Sequence, residues 1–482
     1  MIPPMTEASE NRLPHRGFML DISRDRVPKR QTLEWLVRLL GRLEYTELQL
    51  YTEHTFAYRE HKRVWQAASP MTAEDYQWLD KRCAEAGLEL VPNQNCFGHF
   101  ERWLKHAEYR HLAESPDGFD HPMGFAMESG SVLHPGEESL QFIASLLQEL
   151  VPHFCSDQVN IGCDETWELG EGRSRAEAEQ MGKAEVYLRH LLRILGEVEG
   201  LGKRPQFWAD ILLKEPDSFM ALPKNAIPLI WGYEASHPFA DQCASVAGSG
   251  LAFRVVPGTS SWNSFSHRWI TAKAAIDNAL GAAVDHRAEG FLLTCWGDNG
   301  HHTPLTMALP AIVYAAERSR TDGRIDDTLV IDRLHAEVYP DSSIESISAL
   351  LELGELEPFW ETDPVNMSRH WWALVAPLEQ LQKARDSLVS VDLFGLQSEL
   401  NRLRAQARGA EPHLHEDLEL GIGFMEAAAD RVRAVLRNGG NGWSFPGDLL
   451  TRYRRQWERS SRPGGFADSS GKLKGEGLRI GA

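Results

Sequence analysis

A repeated alternation constrains the fold of this chain more than any other feature. Short apolar and β-branched runs occur at 17–22 (GFMLDI), 45–51 (YTELQLY), 88–94 (LELVPNQ), 158–163 (QVNIGC), 204–208, 227–231 (IPLIW), 253–257 (FRVVP) and 290–296 (GFLLTCW). Each ends in a polar or aromatic cluster. Between many of them lie helix-length amphipathic segments, at 28–43, 72–86, 138–153, 175–199, 267–285 and 305–319, several with apolar residues three and four apart. Eight β-then-α units are the count of a (β/α)8 TIM barrel, so an α/β barrel is predicted over 14–325. A doubly wound open sheet is the competing architecture, because units five to seven are compact.

Beyond 325 the strand signal stops. Helical patterns at 370–389, 393–407 and 415–437 predict a helical C-terminal region over 326–465, and the polar, glycine-containing 466–482 reads as a flexible tail. Leu393, Leu396, Leu400 and Leu403 form an apolar stripe that needs burial, either against the barrel or in a subunit contact of a homodimer. The stretch 96–137 is too long for an ordinary connection and is expected to carry small helices or part of the site.

A length of 482 residues suits a barrel plus an appendage. Fifty Lys+Arg against 69 Asp+Glu leave a formal charge of −19, which disfavours nucleic acid and anionic membranes as partners. Six cysteines without CxxC spacing read as reduced thiols. With neither a signal-peptide pattern at the N-terminus nor 18 consecutive apolar residues, a cytoplasmic location is expected. The absence of GxGxxG and GxxxxGKS/T loops implies no nucleotide cofactor.

In such a barrel, chemistry sits just past the carboxyl ends of the strands. Those positions hold Asp21 and Arg24, Asn93 and Asn95, Asp164 and Glu165, Trp208 and Asp210, Trp231 with Tyr233 and Glu234, Trp262 and Asn263, and Trp296 with Asp298 and His301. Tryptophan at four consecutive strand ends offers flat apolar faces with N–H tips, and the carboxylates and amides offer directed hydrogen bonds; together they suit a sugar ring. Asp164 and Glu165 follow an apolar strand directly. Their mutual repulsion among indoles would raise one pKa, as a general acid near neutral pH requires. Glu234 or Asp210 could supply the second carboxylate of a two-carboxylate glycosidase. A metal-dependent hydrolase using His99, His301, His302 and Asp298 is a rival, although the chain has no HExxH and its first strand no HxH. A noncatalytic glycan-binding barrel is the rival outside enzymology.

The stretches RGFMLDISR (16–24) and NIGCDETW (160–167) resemble family 20 glycoside hydrolases, the β-N-acetylhexosaminidases. The resemblance implies a small glycan or glycoconjugate as substrate and no cofactor or metal. It implies that Glu165 is the general acid/base and that Asp164 polarises the substrate's 2-acetamido group. It further implies that Arg16 grips sugar hydroxyls, that Trp208, Trp231 and Trp296 enclose the terminal sugar, and that Asp298 binds its outer hydroxyls. His99 would be a pocket histidine, and Asp210 the acid of a Trp-x-Asp strand end. The resulting activity would be exo-acting and retaining, with the substrate's own acetamide forming an oxazolinium intermediate. The chain departs from the family pattern at Asn160, where His is usual, at Cys163, where Gly is usual, and at SWNSF (261–265), where Tyr-x-Asp is expected. Tyr233 and Trp262 are the candidates for the missing donor to the acetamide oxygen.

Overall fold

The computed structural model describes residues 13–321, 323–356 and 366–474. It contains the strands β1 (His15–Asp21), β2 (Glu47–Tyr51), β3 (Glu89–Val91), β4 (Phe119–His121), β5 (Phe125–Met127), β6 (Gln158–Asn160), β7 (Arg204–Trp208), β8 (Ile227–Trp231), β9 (Arg254–Val256) and β10 (Gly290–Cys295). Eight of these pair in parallel in the order β3-β2-β1-β10-β9-β8-β7-β6. Strands β3 and β6, at the two ends of that order, meet through a parallel bridge between Asn93 and Asn160, with Gln94 N–H donating to Asn160 O (2.9 Å). The sheet therefore closes on itself as a (β/α)8 barrel, and the open-sheet alternative is excluded.

The helices form where the spacing asks for them. Arg30–Arg42 buries Leu33, Leu36, Val37 and Leu40, the one-face pattern of an amphipathic helix against the sheet. Ala73–Glu85 starts at a capping box in which Thr72 and Asp75 satisfy each other's backbone amides. Within the described residues no helix is long and apolar enough to cross a membrane.

The barrel interior is layered. At its lower level, Glu47, Gln49, Gln158, Gln206 and Arg254 are buried and bonded to one another, with Arg254 2.5 Å from Glu47 and 2.7 Å from Gln158 Oε1, and Gln49 Nε2 2.8 Å from Gln206 Oε1. Asn160 joins this network through Gln49 Oε1 (2.9 Å). A buried polar layer is tolerable because its members satisfy one another. Above it lies an apolar layer of Met19, Tyr51, Trp208, Leu229, Val256 and Leu292, against which Trp231 and Trp296 pack.

The insertion after β3 carries a short helix, Glu101–Leu104, and the antiparallel β4–β5 hairpin. It is pinned by two buried acids. Glu168 accepts from the amides of Ser131 and Val132 (3.0 and 3.1 Å), and Glu114 accepts from Ser174 N–H (3.0 Å) and pairs with His134 (3.0 Å).

Helices follow the barrel from Asp327 onward, the longest being Pro412–Asn438. Leu396, Leu400 and Leu403 are buried on Leu393–Gln406, which packs on Ile344–Leu353 and Pro412–Asn438 of the same chain. The stripe is thus covered within the chain and supplies no argument for a homodimer. The expected tail also differs: Phe466–Lys472 is a helix, with Phe466 against Tyr453 and Trp457 (centroids 5.4 and 5.7 Å). One aromatic anchor orders a segment whose composition alone looked too polar. Residues 475–482 lie outside the described residues.

Candidate active site

The carboxyl end of β1 is tied to that of β10. Asp21 accepts from Ser23 N–H (2.7 Å) and from Gly297 N–H (2.9 Å), so one buried carboxylate fixes both turns. These turns carry Arg24 and Asp298, whose charged groups approach to 3.9 Å. Arg24 also pairs with the buried Glu53 at 2.6 Å, and Glu53 in turn accepts from Tyr51 O–H (3.0 Å). Burial raises the Asp298 carboxyl to about 6, although Arg24 pulls it down.

The acid pair follows β6 on an unusual backbone. Gly162, Cys163 and Glu165 have φ of 66°, 73° and 49°, all left-handed. At Gly162 a side chain is impossible, since a Cβ would lie 2.4 Å from Asn95 Oδ1. This turn presents Asp164 and Glu165 side by side. Asn95 Nδ2 donates to Asp164 Oδ1 (3.3 Å), and His99 Nε2 lies 3.3 Å from Asp164 Oδ2 and 3.6 Å from Glu165 Oε2. Burial disfavours charge on His99, but Asp164 and then Glu165 outweigh it and raise its pKa well above 6.5. Burial raises Glu165 to about 7, with His99 opposing and Asp164 assisting. Asp210 sits behind the pair and accepts from Glu165 N–H (3.3 Å); burial, then Asp164 and Glu165, raise it to about 8.

Aromatic side chains build the walls. Trp231 stacks on Tyr233 (centroids 5.4 Å apart, planes 20°), which meets Trp262 edge-on at 4.9 Å. Tyr51 and Trp296 meet at 4.7 Å, and Trp208 lies 6.0 Å from Trp296. Trp296 Nε1 donates to Tyr233 Oη (2.7 Å), and Thr294 is a second polar neighbour of that hydroxyl. The indole N–H groups of Trp208 and Trp231 are buried without a partner. The cleft, about 550 Å3 counted to its open mouth, is lined by Asp164, Glu165, His99, Trp208, Trp231, Tyr233, Trp262, Trp296 and Asp298, and also by Arg24, Tyr51 and Asn366.

Nine of the eleven sequence-predicted site residues thus converge, and two do not line the cleft. Arg16 opens β1 at the opposite, amino end of the barrel, where its guanidinium donates to Glu44 O (2.8 Å) and Leu13 O (3.3 Å). The expectation that Arg16 grips the substrate is corrected: Arg24, at the carboxyl end of the same strand, occupies the cleft. Asp210 is the second, held behind Glu165. Glu234 is engaged by Arg268 at 2.9 Å outside the lining. His302 is turned away, bonded to Ser469 O (3.0 Å) and Trp371 Nε1 (3.0 Å), and no cluster of three potential metal ligands forms among the described residues. The end of the second strand in YTELQLY could have suggested Tyr51; no sequence signal marked Asn366.

Residues 42–252 match the model of the glycosyl hydrolase family 20 catalytic domain. Over that stretch the chain is similar to the catalytic domain of glycoside hydrolase family 20. It is similar to hexosaminidase D of Homo sapiens, 23% identical over 311 residues that cover 59% of this chain and 60% of that protein. It is also similar to hexosaminidase D of Bos taurus, 26% identical over 193 residues, 38% of this chain and 53% of the relative. The chain therefore spans somewhat over half the length of these curated relatives. Among solved structures, a Flavobacterium johnsoniae chitobiase superposes with a TM-score of 0.55 at 15% identity, covering 95% of this chain and 77% of that one. A family 20 exo-β-N-acetylglucosaminidase from Vibrio harveyi, solved with N-acetylglucosamine, gives 0.55 at 16% identity over 70% of this chain and 59% of its own. These likenesses bear on the fold, which is that of the family 20 barrel.

Proposed function

We propose that this protein is a family 20 enzyme, an exo-acting, retaining β-N-acetylhexosaminidase that removes terminal β-linked N-acetylglucosamine or N-acetylgalactosamine. The observation that carries the reading is the fate of the carboxylates. Asp164, Glu165 and Asp298 line the cleft, the last beside Arg24, whereas the two acids that the sequence offered as a covalent nucleophile are occupied elsewhere: Asp210 on the backbone behind Glu165, and Glu234 on Arg268. That distribution supports substrate assistance, in which the acetamide oxygen attacks the anomeric carbon. Glu165, about half protonated at pH 7, gives its proton to the departing glycosidic oxygen and later takes one from water. Asp164, held by Asn95 and His99, faces the acetamide N–H where positive charge develops. The O–H of Tyr233 is the donor for the acetamide oxygen. Arg24 and Asp298 hold outer hydroxyls, and the indoles enclose a single ring.

The names of the curated relatives support the substrate class. The six cysteines are free, five of them buried, which supports a cytoplasmic setting. The test is turnover of a p-nitrophenyl β-N-acetylglucosaminide, together with inhibition by a thiazoline mimic of the oxazolinium ion. Inactivity on aryl β-N-acetylhexosaminides, or a glycosyl group trapped on Asp210 or Glu234, refutes it.

A further inference from the structure

Among the described residues, the helical C-terminal region sends one, Asn366, into the cleft. Asn366 lies 70 positions beyond Trp296, the last aromatic of the barrel strands, yet it lines the same cavity as Tyr233 and Trp262. Its backbone is held from two barrel loops: its N–H donates to Glu234 Oε1 (3.3 Å), its carbonyl accepts from Asn263 Nδ2 (3.3 Å), and Ser368 N–H donates to Asn263 O (2.8 Å). Asn263 in turn accepts from Asn299 Nδ2 (3.2 Å), beside Asp298. The fixation forces Asn366 into the left-handed region at φ 56°, which asparagine tolerates better than most residues. Its side-chain Oδ1 is buried and has no hydrogen-bond partner.

A polar atom left bare inside a protein has lost its water without gaining a partner, so native structures seldom keep one without a use. Here the residue that carries it lines a cavity walled by indoles, carboxylates and an arginine, on a backbone fixed at three points. We propose that Asn366 is a substrate-contacting residue whose amide oxygen accepts a hydrogen bond from a hydroxyl of the terminal sugar, so that the C-terminal region completes the active site. The inference rests on the hexosaminidase reading for the nature of the ligand. It also gives Glu234 a role: with Arg268 it anchors the loop that brings Asn366 in.

The experiment compares the full-length protein with Asn366→Gly, which adopts the left-handed backbone without strain while deleting the amide, and with Asn366→Asp, which keeps the acceptor. Two quantities are read: kcat/KM on p-nitrophenyl β-N-acetylglucosaminide and the calorimetric Kd for the thiazoline mimic. Loss of one buried acceptor predicts roughly a 10-fold or greater drop in kcat/KM and a matching rise in Kd for Asn366→Gly, with Tm unchanged and the aspartate variant intermediate. Values for Asn366→Gly within twofold of the parent overturn the inference and leave the hexosaminidase reading standing. A loss tracked by a fall in Tm that aspartate does not restore also overturns it, since that is a structural role. A parent protein that neither turns over the substrate nor binds the mimic overturns both.

Discussion

Asparagine in place of His99 keeps a hydrogen-bond donor near Asp164 and removes the cation between the two acids. A unit charge 3.6 Å from Glu165 is worth about 1 kcal/mol at the dielectric of water and roughly 4 to 5 kcal/mol at an effective dielectric of ~20. Glu165 is about one-third exposed, between those limits. The cation favours the charged carboxylate, so its loss raises the pKa of Glu165, by ~1–3 units at 1.36 kcal/mol per unit. In the parent, burial lifts Glu165 to about 7, so under the proposed mechanism proton donation fails as pH rises through that value. The alkaline limb of the kcat/KM profile should therefore move upward by ~1–3 pH units in His99→Asn. The assay is that profile on a substrate with a poor leaving group, paired with carboxyl titration of isotopically labelled glutamate, which reads the shift independently of the mechanism. A limb and titration that stay in place, or move down, refute the electrostatic role of His99. Stability follows with its own sign: the pKa of His99 is raised by folding, so its contribution is complete below pH 6.5 and is lost as pH rises through the folded value. His99→Asn should therefore lower Tm most in mildly acidic buffer.

Glu165→Gln should cost about 10²–10⁴ in rate on poor leaving groups and much less on dinitrophenyl glycosides, where protonation matters little; equal losses on both would remove Glu165 from the acid role. Folding raises this carboxyl from 4.5 to about 7, so the folded state holds the extra proton across that window and stability falls as pH rises through it. Glu165→Gln should consequently melt above the parent at pH 8 and with it near pH 4, as calorimetry would show. The two arginines of the first motif should separate cleanly: Arg16→Ala loses hydrogen bonds to two carbonyls and lowers Tm with kcat/KM per folded molecule retained, while Arg24→Ala raises KM by ~10-fold or more with a smaller change in Tm. Ser469→Ala removes a buried hydroxyl bonded to Tyr453 Oη (2.7 Å) and to Gly300 O in the turn that bears Asp298. Its expected signature is a several-fold rise in KM with kcat little changed, and an unchanged KM would disconnect the C-terminal helix from the sugar site.

The barrel was legible because its cause is local. Eight strand runs recur with helical periods between many of them, and parallel strands place every β-to-α turn at one end, so the sequence alone assigns Asp164, Glu165 and the indoles to one mouth. The same logic applied fully would have rejected Arg16. It opens β1 and Arg24 follows it, and seven extended residues span about 23 Å, so the two guanidiniums stand at opposite ends of the barrel. Family likeness pointed to an arginine in that stretch; strand direction decides which. Asn160, where the family pattern has histidine, takes its role from Gln49 across the barrel, a partner 111 positions away. The reach of Asn366 into the cleft, the covering of Leu396, Leu400 and Leu403, and the ordering of Phe466–Lys472 on Tyr453 and Trp457 were likewise decided only by tertiary packing. Sequence periodicity reports which face of an element seeks burial; it carries no information about which distant surface will meet that face.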